Sequence, residues 1–179
     1  MSYIGLILVS IIVIAGIIAF KSFKRLAIAR NLVDTRWSAV IADFDKRLEL
    51  VPGLMDLLRQ SNESAYAQFH DALPTVQGGA SGSEVADVRA YQTNLSRILR
   101  KLLSVLASYP EIEKREEFQA AGKRLVELEN RIEAARRLYN DAVKDYNATR
   151  ARWPMSIFAD GFDYRPEDYL EIEYTTHQK

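Results

Sequence analysis

The chain has no cysteine, which removes disulfides, thiolate nucleophiles and cysteine-ligated metals from consideration. Its two histidines, His70 and His177, lie far apart. Glu63 precedes the first and Asp71 follows it, but no Glu-x-x-His pair is present, so the ligand pattern of a di-iron helical bundle is missing. No metal and no cofactor is expected. The 24 basic and 24 acidic side chains cancel, which leaves no basic footprint for nucleic acid. No glycine-rich run leads into Lys-Ser or Lys-Thr, and no strained nucleophile motif is present, so phosphate-loop and serine-hydrolase chemistry lack a sequence basis. A hydrolase or metal-dependent enzyme is therefore the disfavoured reading, and the expectation is that the protein is not an enzyme.

Charge is missing altogether from Met1 to Phe20, and Ile4–Phe20 is nearly continuous hydrocarbon. About 20 apolar residues suffice to cross a bilayer core as a helix, and only a helix or a closed barrel satisfies its backbone there. Residues 1–20 are accordingly read as one transmembrane helix. Lys21, Lys24, Arg25 and Arg30 follow with no acid among them, while no Lys or Arg precedes the run. That asymmetry predicts an outside N-terminus and a cytoplasmic main domain. A cleaved signal peptide would need a basic leading region and a small-residue cleavage site, whereas Phe20, Phe23 and basic side chains occupy that place.

Glycine and proline are scarce, 8 and 5 in 179 residues, and none falls between Gly16 and Pro52. The membrane helix is thus expected to continue without a breaker toward Val51. Val33, Trp37, Val40, Phe44, Leu48, Val51, Met55 and Leu58 recur at spacings of four and three, the stripe of a core-facing helix. Pro52 predicts a kink, with the helix running on to about Phe69 or Ala72. Residues 74–83 read as a Gly/Ser loop with Ser83 as the next N-cap. A second helix is expected over Glu84–Ser108, with Val88, Tyr91, Leu95, Ile98, Leu102 and Val105 on one side and Tyr109-Pro110 as its stop. A third is expected from about Glu113 to Arg152, with Phe118, Ala121, Leu125, Leu128, Ile132, Ala135, Tyr139, Ala142 and Tyr146 as its seam and Trp153-Pro154 as its end. The expected fold class is all-α: an N-terminal transmembrane helix continuing into an antiparallel cytoplasmic helical bundle over residues 21–154. Residues 155–179 form an acidic, aromatic tail, either solvated, packed back on the bundle or docked on a neighbouring copy.

Three groups of residues stand out as candidate sites. Ala15, Ala19 and Ser22, with Ala29 beyond them, lie on one helical face, and small residues let helices approach closely in lipid. Lys21, Lys24 and Arg25 suit anionic headgroups, each contributing about 1 kcal/mol near a charged surface. Tyr139-Asn140 and Tyr146-Asn147 repeat at seven residues and so share a face two turns apart. They serve either as contacts between subunits or as tyrosines filling the seam while asparagines bond adjacent helices.

Ordered blocks along the chain resemble the LemA family of bacterial membrane proteins. They are Asn31-Leu-Val-Asp-Thr-Arg-Trp37-Ser, Lys46-Arg-Leu-Glu-Leu-Val-Pro52-Gly-Leu54, and the run from Glu129 through Tyr139-Asn140 to Tyr146-Asn147. Tyr109-Pro110, Trp153-Pro154 where the family usually has Phe-Pro, and Gly161-Phe162 continue the similarity. Gly53 stands where the family commonly has Asn, Ile41 replaces an acidic position, and the loop around Gly78 has no counterpart. The resemblance implies a membrane anchor with a four-helix-type cytoplasmic bundle in the bacterial inner membrane, and members are associated with organising envelope or organelle membranes. It brings no catalytic residue. The expected partners are the lipid bilayer, further copies of the chain and, in the adaptor alternative, another membrane protein, with no nucleic acid. The expected function is a membrane-anchored scaffold that self-associates laterally, the alternative being an adaptor for a membrane protease or transporter.

Overall fold

A computed structural model of the chain describes residues 2–72 and 85–171. The expected 74–83 loop, its Ser83 cap and His177 lie outside the described residues. Among them the chain is all-α, with no strand.

The first helix, α1, runs Ser2–Leu48 without interruption, as the lack of glycine and proline after Gly16 predicts. It gives way at Glu49 because Pro52 has no N–H to return to the Leu48 carbonyl four residues back. Glu49 keeps right-handed helical angles (φ −59°, ψ −19°), and its N–H reaches the Asp45 carbonyl at 3.0 Å. The disturbance is therefore local, and α2 resumes over Leu50–Ser61. The sequence reading carried this helix on to Phe69 or Ala72; instead Asn62 turns extended (φ −154°, ψ 100°) and breaks it. The Asn62 side chain explains the break. Its Oδ1 accepts the Ala65 N–H at 2.9 Å, capping α3 (Glu63–Ala72), and its Nδ2 donates to the Tyr109 hydroxyl at 2.9 Å.

Helix α4 spans Val85–Ala107. Extended Tyr109 (φ −101°, ψ 107°) stops the chain before Pro110, which then opens the short α5, Pro110–Glu113, at its first helical position. This turn was not anticipated, and the long α6 accordingly starts at Glu116 and ends at Arg150. After the cis Trp153–Pro154 bond come α7, Met155–Phe158, and a 3-10 turn, Asp160–Phe162. Asp163, at φ 59°, takes the left-handed conformation that a short polar side chain tolerates, and the chain leaves without regular structure.

The residues group into two compact units: Met1–Trp37 with Leu138–Tyr169, and Ser38–Arg137 with the chain from Leu170. The second unit holds an apolar core of Val51, Leu54, Met55, Leu57, Leu58, Phe69, Leu95, Leu99, Leu102, Leu106, Ile112 and Leu125. On α4 the buried face is centred on Gln92, Leu99 and Leu106, one residue beyond the half-buried Tyr91, Ile98 and Val105 of the expected stripe. The shift turns Gln92 and Ser96 inward, and the Ser96 hydroxyl and the α4 backbone meet a buried cation. Arg47, 1% exposed, donates to Ser96 Oγ at 2.7 Å and to the Gln92 carbonyl at 3.1 Å. Asp43 of the same unit takes Arg131 at 2.8 Å and Lys46 at 3.1 Å.

Candidate functional site

The first unit carries most of the residues singled out by sequence. On α6, Tyr139 and Tyr146 sit two turns apart on one face, and both are buried. A buried phenol needs an acceptor, and here the acceptors are backbone carbonyls of the segment after Asp163. Tyr146 donates to the Arg165 carbonyl at 2.7 Å and Tyr139 to the Asp168 carbonyl at 3.0 Å. Between them Asn147 makes a reciprocal pair with one residue: its Nδ2 donates to the Glu167 carbonyl at 2.9 Å, and its Oδ1 accepts the Glu167 N–H at 3.0 Å. Arg150 Nε donates to the Tyr164 carbonyl at 2.6 Å, while its other end pairs with Asp160. Residues 164–169 thus form a strap along α6. An irregular segment has no ladder of its own, and α6 side chains supply the missing partners.

Helix α1 secures the strap from its own side. Arg30 pairs with Glu167 and, at 3.3 Å, with Asp34, and its guanidinium lies 5.7 Å from the centre of the Tyr146 ring. Trp37 packs on Tyr139 with ring centres 5.2 Å apart, and Phe23 meets Phe162 and Tyr164 edge-on at 5.5 and 5.7 Å. Burial raises the Tyr139 hydroxyl far above the ordinary phenol range, and Glu167 and Asp168 push the same way. Tyr146 is raised mainly by burial, against an opposing pull from Arg30. Both phenols therefore remain neutral hydrogen-bond donors at physiological pH. Burial works against the charge on Arg30, yet Glu167, Tyr146 and Asp34 together outweigh it and raise its pKa. These groups form a network that positions the strap between α1 and α6.

The other sequence candidates lie at the apolar end of the same unit. Ala15 is exposed with the rest of the run from Tyr3 to Ile18. Ala19 lines an apolar groove of about 320 Å³ with Phe20, Phe23, Pro154, Met155, Phe158 and Phe162. Ser22 lines a smaller one with Arg25, Thr149, Arg152, Trp153 and Met155. Part of the small-residue face is thus turned toward residues of the same chain. Lys21, Lys24 and Arg25 are exposed and enter no ion pair among the described residues. Asn140 is half-buried.

Sequence reasoning left the tail open between solvation, packing back and docking on a neighbour, and it named neither Glu167 nor the role of Arg30, which it had counted only among the basic residues after the apolar run. A regular seven-residue repeat of Tyr-Asn was the available signal, since it marks two donors in need of acceptors. In the second unit, His70 lies on α3 with its ring 5.6 Å from that of Tyr66. No cluster of three or more metal-ligating side chains occurs among the described residues.

These features define an all-α protein whose N-terminal helix is long and apolar enough to cross a membrane and whose most apolar stretch is wholly exposed. Residues 36–179 match the LemA family model, and the chain belongs to the LemA family. The match begins near the end of the first unit's part of α1, so the apolar run precedes it. No curated protein matches the chain.

Proposed function

We propose that the protein is a single-pass, non-enzymatic scaffold of the bacterial cytoplasmic membrane, with its N-terminus outside and its helical body in the cytoplasm. The observation that carries this reading is the state of α1: from Tyr3 to Ile18 every residue is exposed, and nearly all are apolar. In water such a surface would be strongly unfavourable at about 25 cal/mol per Å², whereas a bilayer removes the cost. Ser10, the only hydroxyl from Ile4 to Ile18, donates to the Leu6 carbonyl at 2.8 Å, which suits a side chain surrounded by lipid. Lys21, Lys24 and Arg25 then meet the cytoplasmic headgroups.

Copies associate laterally through the small-residue face of α1, on which Ala15 is exposed and Ala19 is half-buried. The assembly organises membrane or gathers partners along it. Amine-reactive cross-linking in native membranes tests this: a ladder of self-multiples is expected, and substitution of Ala15 and Ala19 by Leu shortens it. A single product with a different protein would replace the scaffold by an adaptor, and a monomer at every cross-linker concentration would refute self-association.

A further inference from the structure

Beyond α1, the first unit exposes a second apolar surface that its own packing does not explain. Trp153 is 71% exposed, Ile157 65%, Phe162 60% and Phe158 48%. They belong to the short stretch holding α7 and the 3-10 turn, which bends back to α1. Pro154, Met155, Phe158 and Phe162 line one groove with Ala19, Phe20 and Phe23, so this surface is continuous with the end of the apolar run. From Ile4 to Phe20 the helix rises roughly 24 Å, which puts Phe20 and Phe23 near the boundary of a hydrocarbon core about 30 Å thick.

We propose that Trp153–Phe162 is a second membrane contact, lying in the membrane–water interface beside α1 with Trp153, Ile157, Phe158 and Phe162 against the lipid. This rests on the reading of α1 as a membrane span and adds a site to it. Composition and charge argue for lipid as the occupant. Exposed tryptophan and phenylalanine at the end of a span suit the interfacial belt. Arg25 and Arg152 line the neighbouring groove beside Trp153, Lys21 and Lys24 flank Phe20 and Phe23 in α1, and none of the four is in an ion pair among the described residues. The acids of the same stretch, Asp160 and Asp163, are already matched with Arg150 and Arg165. A bilayer with anionic headgroups complements such a ring of cations. A second copy docked face to face would bring the same cations together. The 3-10 turn that follows α7 gives the contact a mechanical role: Asp160 is paired with Arg150 of α6 and Phe162 packs on Phe23 of α1, so interface binding fixes the roll of this unit about α1.

The chain's two tryptophans make the test direct. In the full-length protein reconstituted into vesicles of zwitterionic and anionic phospholipid, Trp37→Phe leaves Trp153 as the sole indole and Trp153→Phe leaves Trp37. Trp153 emission should be blue-shifted and largely lost when the acyl chains carry bromine, while Trp37, packed on Tyr139, keeps most of its signal. Ile157→Ser with Phe158→Ser, both at exposed positions, should restore most of the lost Trp153 emission. Water-like, unquenched Trp153 emission would overturn the proposal, and blue-shifted but unquenched emission would overturn it in favour of a protein neighbour. Alkaline carbonate extraction of the same vesicles separates the two ideas. Retained protein with unquenched Trp153 refutes the interface contact alone, whereas released protein refutes the membrane span and the contact together.

Discussion

Asn147→Ala should release the strap without unfolding the helices. Asn147 exchanges two hydrogen bonds with the backbone of Glu167, at 2.9 and 3.0 Å, and both are partly buried. A net hydrogen bond contributes about 1 kcal/mol, so losing both raises the free energy of the closed strap by about 2 kcal/mol. The flanking bonds from Tyr139, Tyr146 and Arg150 remain, so the loss appears as local opening. Since about 1.4 kcal/mol is a factor of ten, the Glu167 amide, which also loses its own acceptor, should exchange with deuterium at least about 30-fold faster in the variant. Amides in the middle of α4, such as Leu99 in the core of the second unit, should exchange at the parental rate. If Glu167 exchange is unchanged, or if α4 loses protection to the same degree, the strap is not held as a local element by Asn147 and the reasoning fails.

The buried polar groups set four further outcomes. In a spectrophotometric alkaline titration, Tyr139 and Tyr146 should stay protonated in the folded protein beyond the pH near 10 at which unperturbed tyrosines ionise. Because their folded pKa values are raised, the stability they contribute is complete below about pH 10 and is lost as pH rises further, which urea unfolding at a series of alkaline pH values should record. In the second unit, Arg47→Met should be neutral or stabilising by up to a few kcal/mol in urea unfolding, because a well-packed apolar chain avoids the desolvation of the guanidinium. Ser96→Ala keeps that charge buried and removes its 2.7 Å acceptor, so it should destabilise by about 1.5–3 kcal/mol.

Much of the helical framework could be read from residue spacing, because a buried helix face repeats about every 3.6 residues and proline ends are chemically unambiguous. The stops at Tyr109-Pro110 and Trp153-Pro154 and the local break before Pro52 are of this kind. The break at Asn62 was hidden because an asparagine that caps α3 looks the same in sequence as one on a helix surface. On α4 the inward turn of Ser96 was missed because spacing reports apolar residues and says nothing of a buried arginine that needs an acceptor. The strap left the weakest trace. Its backbone carbonyls carry the bonds, and a carbonyl has no sequence identity. Its charged tie, Arg30 to Glu167, joins residues 137 positions apart. The Tyr-Asn repeat did mark the donors, but their acceptors could not be named until residues 164–168 were seen beside them.

In the proposed topology α1 crosses a bilayer once and leaves the helical body on the cytoplasmic side. The absence of cysteine makes every introduced thiol unique, so Ser10→Cys in the apolar run and Ser64→Cys on exposed α3 can be compared in cells with a membrane-impermeant maleimide. The account predicts that Ser10→Cys stays unlabelled in intact and in opened cells, and that Ser64→Cys labels only once the cells are opened. Labelling of Ser10→Cys at the rate of Ser64→Cys, or labelling of Ser64→Cys from outside intact cells, would contradict it.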